Sequence, residues 1–68
     1  MNKFAITITK SSRRVVKTFE KQEDAMKFGG EVASRTPSAE GTVSCISADF
    51  DENDNMLGNK YKLYHTWI

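Results

Sequence analysis

Strict alternation opens the chain. In residues 3–9, Lys-Phe-Ala-Ile-Thr-Ile-Thr, Phe4, Ile6 and Ile8 fall on one side, and the β-branched content predicts a half-buried strand over about 3–10. Ser11-Ser12 interrupts the pattern, and it resumes over about 14–20, so the two strands should close as a hairpin over a short serine-containing turn. In the second strand Val15, Lys17 and Phe19 share one side. That sharing requires either a bulge or a Lys17 whose stem lies along apolar neighbours.

The period then changes. Ala25, Phe28, Gly29, Val32 and Ala33 follow the i, i+3, i+4 spacing of an amphipathic helix over about 22–35. Glu23 and Asp24 suit the positive end of its dipole, and Thr36-Pro37 stops it, because proline disfavours helical backbone in the residue before it. Gly29 on the apolar stripe is expected to let the helix sit close to the sheet.

Two more strands follow, over about 42–51 and 56–67. Ile46, Ala48 and Phe50 share a parity on the third, as do Tyr61, Leu63 and Trp67 on the fourth. The two sets face one side if the connecting loop has an even number of residues, as an Asp54-Asn55 turn or a Glu52–Asn55 loop would provide. A bulge at Gly58-Asn59 would shift that register. The expected architecture is a single α+β domain spanning residues 1–68, ββαββ, with one helix on one face of a four-stranded antiparallel sheet. A helical crossover over the first strand gives the order 2-1-3-4. The expected core is Phe4, Ile6, Ile8, Phe19, Ala25, Phe28, Val32, Ile46, Ala48, Phe50, Leu63 and Trp67. The uncovered face is then expected to carry Ala5, Thr7, Thr9, Val43, Cys45, Lys62, Tyr64 and Thr66.

Size sharpens this picture. A chain of 68 residues buries only about 60% of its unfolded surface, so burying both faces of the sheet would ease its stability problem. A single cysteine excludes an internal disulfide, and with no hydrophobic leader a cytoplasmic location is expected. No apolar run approaches the roughly 20 residues that span a bilayer, so no membrane role is expected.

Catalytic and metal chemistry find little support. Asp51-x-Asn53-x-Asn55 begins like a calcium loop, but Met56 and Lys62 occupy the positions that need glycine and a bidentate acid. Cys45 and His65 are the one thiol–imidazole combination, and the even-loop register puts them on opposite faces. One Cys and one His cannot build a zinc site. The glycines at 29 and 30 lack the spacing of a phosphate loop. No enzyme activity, metal or other cofactor is expected.

Charge points to partners. Five of the ten basic residues lie in the first 17 positions with no acid among them, while Asp49, Asp51, Glu52 and Asp54 form an acidic run. With hairpin turns at opposite ends of the sheet, the molecule is expected to be dipolar along its strands. Two binding readings follow. The first is protein–protein association, as self-association or with another protein, through Val43, Cys45 and Tyr64 on the uncovered face or through an edge strand. The alternative is binding of a nucleic-acid phosphate backbone by Lys10, Arg13, Arg14 and Lys17 around the first turn, although a pI near 7.9 is low for such modules.

Overall fold

Each alternating run becomes a strand in the computed structural model, which describes all of residues 1–68. Strands β1, Asn2–Thr9, and β2, Arg13–Phe19, pair antiparallel around the Lys10–Ser12 turn. Their register shifts between Ile6 and Thr7, where β2 steps from Lys17 to Val15 and leaves Val16 as the extra residue of a bulge. Lys17 also lays its ammonium 5.3 Å and 5.5 Å from the ring centroids of Phe19 and Phe28. Both ways of placing a lysine among apolar neighbours are therefore in use.

Helix α1, Gln22–Arg35, buries Ala25 and Gly29 against the sheet, with Phe28, Val32 and Ala33 packed beside them. It ends where the Thr36 N–H donates to Ala33 O and the Thr36 hydroxyl donates to Val32 O at 2.8 Å, immediately before Pro37. A 3-10 turn at Ser38–Glu40 leads into Gly41, whose φ of 138° and contact with Ile8 exclude a side chain. Strands β3, Thr42–Asp49, and β4, Lys62–Trp67, complete one antiparallel sheet in the order β2-β1-β3-β4. The fold is α+β, ββαββ, with the helix on one face. No helix in it is long and apolar enough to cross a membrane.

The faces of β3 are the reverse of the expected ones. Ile6 stands opposite Cys45 and Ile8 opposite Val43, so Val43 and Cys45 lie under the helix with Ala25 and Ile6. Ile46, Ala48 and Phe50 point the other way and form a second buried cluster with Ala5, against which Val15 and Met56 pack. Leu63, expected in the core, pairs with Ile46 on that side and is 54% exposed.

A strap explains the second cluster. In place of a tight hairpin, residues 50–61 leave β3, form an isolated bridge between Phe50 and Met56, and cross the face that the helix leaves open. The turn within it is organised by Asp51, whose Oδ1 accepts the N–H groups of Asn53 and Asn55 at 2.8 and 2.9 Å. Asp54 takes the positive φ, 61°, that its residue type tolerates. From there its carboxylate meets Lys3 Nζ at 2.8 Å. Both faces of the sheet are buried within one chain, by the helix on one side and the strap on the other.

Candidate functional site

The strap removes the open face on which association was expected. Val43 is 3% exposed and Cys45 is fully buried, so of the three expected interface residues Tyr64 alone reaches solvent. The strap starts at the end of the sheet opposite the first turn, and Asp54 pairs there with Lys3, the basic residue of the first hairpin farthest from its turn.

The four basic candidates divide between surfaces. Arg13 opposes Thr9 on the strap side, where its guanidinium lies 4.4 Å from the Tyr61 ring centroid and donates to Tyr61 Oη and Thr7 Oγ1, each at 3.0 Å. Arg14 opposes Ile8 on the helix side, with Lys17 over its two aromatic rings. Lys10 is exposed at the turn. Lys10 and Arg14 line one recess, with Glu40, and Arg13, Arg14 and Lys17 line another, with Asp54.

Cys45 and His65 are cross-strand partners, contrary to the opposite-face expectation, because β4 carries a bulge at Tyr64 that the even-loop register did not include. Proximity does not make a dyad here. Burial raises the Cys45 pKa, holding the thiol protonated, and the His65 ring stacks edge-on against Trp67 at 4.7 Å.

The β4 edge is the less charged of the two sheet edges. It closes one side of the sheet and has a strand neighbour only in β3. Through the bulge, Lys62, Tyr64, His65 and Trp67 line its helix-side surface. Lys62 Nζ sits 5.1 Å from the Tyr64 ring centroid, and Tyr64 meets Phe4 edge-on at 5.3 Å. At the Trp67 end a groove of about 400 Å³ opens between β4 and the last turns of α1, with Gly30, Ala33, Ser34 and Val43 among its walls. The groove was not foreseen from the sequence, although Gly29-Gly30 and the single tryptophan are the features that build it. No protein-family model matches the chain, and no significant match was found among curated proteins or solved structures.

Proposed function

We propose that the protein is a small non-catalytic binding module that acts by protein–protein association at the β4 edge. The observation that supports this reading is the contrast between the two sheet edges. An unpaired strand offers its main-chain N–H and C=O groups to one further strand, which supplies affinity, while side-chain pockets supply specificity. β4 offers that ladder with Leu63 and Tyr64 54% and 37% exposed and one charge, Lys62, within the strand. β2 carries Arg13, Arg14 and Lys17, the kind of charge that discourages strand addition.

Phosphate-backbone binding by the first hairpin has weaker support. Arg13 and Lys17 are engaged with aromatic rings on opposite faces, which leaves Lys10 and Arg14 for a salt-sensitive contact.

Selection from a randomised linear-peptide display library, followed by mapping of amide shifts on labelled protein, tests the reading. Binders whose shifts centre on residues 62–67 are expected. Binders that map to residues 10–17, or a salt-sensitive DNA shift with no peptide enriched, would overturn it.

A further inference from the structure

The helix-side row on β4 has different chemistry at its two ends. Trp67, with the groove beside it, stands opposite Val43, and Lys62 stands opposite Ser47. A strand added to the free side of β4 would pass the same bulge, so residues four apart in it would meet Trp67 and Lys62. Residues four apart in a strand also point to the same face. One bound segment can therefore reach both ends of the row at once.

Each end selects a side chain. The groove is walled by Ala33, Val43, Trp67 and the side-chain-free Gly30, and admits one bulky apolar group. At the other end Lys62 is preceded by Lys60, with Asp49 on the same face of β3 two residues beyond Ser47, so two lysines there meet one acid. A second copy of this chain is a poor occupant. Its β2 edge repeats the apolar–acid spacing in Val16 and Glu20 but brings Arg13, Arg14 and Lys17 against an edge that already carries Lys62, and its β4 edge brings a second Lys62.

We infer that the β4 edge receives an extended antiparallel segment of an acidic protein partner, with an apolar side chain in the Trp67 groove and a carboxylate, four residues later, at Lys62. The antiparallel direction matches the rest of the sheet and is the more stable pairing per residue. The inference rests on β4 being the binding edge.

The probe is the peptide acetyl-Thr-Leu-Thr-Val-Thr-Glu-Thr-amide, followed by the fluorescence of Trp67, the only tryptophan, and by hydrogen exchange of the β4 amides. Saturable binding with β4 protection is expected, weakened at least tenfold when the peptide Leu becomes Thr or its Glu becomes Lys. Lys62→Glu should invert the preference between the Glu and Lys peptides. Gly30→Leu should abolish the preference for Leu while keeping that for Glu. Equal affinity for all three peptides with β4 protected would overturn the acidic–apolar assignment and leave the edge reading intact. So would a dimer in light scattering whose β4 amides are protected without peptide. If none of the peptides protects β4 and no dimer forms, both the inference and the reading fall.

Discussion

Gly29 on α1 and Trp67 on β4 leave no room for another carbon between them. A Cβ on Gly29 would stand 2.2 Å from Cη2 and 2.6 Å from Cζ3 of the indole, with Ile6 Cδ1 at 2.8 Å. At Gly30 the nearest such atom is Trp67 Nε1, 4.0 Å away. The helix approaches the sheet through the first glycine, and the second opens the groove wall.

The two glycines should therefore respond oppositely to alanine. Either substitution gains helix propensity of about 1 kcal/mol, whereas overpacking a filled site costs about 1–3 kcal/mol. In urea unfolding, Gly30→Ala should raise stability by up to about 1 kcal/mol and Gly29→Ala should lower it. A stabilised Gly29→Ala variant would mean that the indole moves aside freely.

The strap should loosen in acid. The hydrogen bond from Lys3, then that from Thr18, holds the Asp54 carboxyl below the usual carboxylate range. A lowered folded-state pKa gives stabilisation that is present above the unfolded value of about 4 and is lost as pH falls through the folded value. Asp54→Asn keeps a residue that tolerates positive φ and removes the charge. It should lessen the response of the strap amides to acid below pH ~4, as followed by two-dimensional NMR between neutral pH and pH ~2. Strap shifts that titrate alike in wild type and variant would assign the effect to another carboxylate.

Adjacent arginines should differ. Arg13 combines a cation–π contact with two side-chain hydrogen bonds, while Arg14 is exposed and forms no side-chain hydrogen bond within the protein. Arg13→Met should cost about 1 kcal/mol and speed proteolysis within residues 51–61, whereas Arg14→Met should stay within about 0.5 kcal/mol. Equal effects in urea unfolding and limited proteolysis would show that the contact with Tyr61 does not hold the strap.

Cys45 should be silent until the protein opens. Its side chain is fully buried beneath α1, and its thiol is held protonated at neutral pH. Labelling by a disulfide reagent should follow the unfolding equilibrium, with rates rising with urea in step with loss of structure. Rapid native-state labelling would contradict the buried placement. Cys45→Ser should cost about 1–3 kcal/mol, because it buries a hydroxyl with no partner provided for it.

Strand order and helix ends were legible because each rests on a local signal: the alternation of Phe4, Ile6 and Ile8, the stripe from Ala25 to Ala33, the Thr36-Pro37 stop and the handed crossover. The facing of β3 was not. Val43 and Cys45 on one parity and Ile46, Ala48 and Phe50 on the other are all apolar, so alternation could not say which set the helix covers. The more apolar set went to the strap. An Asn/Asp-rich segment signals a turn, and Asp54 does adopt the turn conformation. Nothing local showed that Met56 would bridge Phe50 and carry the chain across the sheet. The bulge at Tyr64, which puts His65 across from Cys45 and completes the row ending at Trp67, likewise has no glycine or proline to announce it.

Burial on both sides of β3 bears on misfolding. In a sheet with one wet face, sliding a strand by one residue drives polar groups inward and is strongly opposed. Here the same slide would exchange Val43, Cys45 and Ser47 for Ser44, Ile46 and Ala48 on the helix side, a substitution of one largely apolar set for another. Discrimination against that frame-shifted state falls to volume, to the unyielding contact at Gly29, and to the strap, whose Phe50–Met56 bridge and Asp54–Lys3 pair form in one frame. The strap is then a proofreading element for strand alignment, and variants that weaken it should populate a misaligned sheet before they unfold.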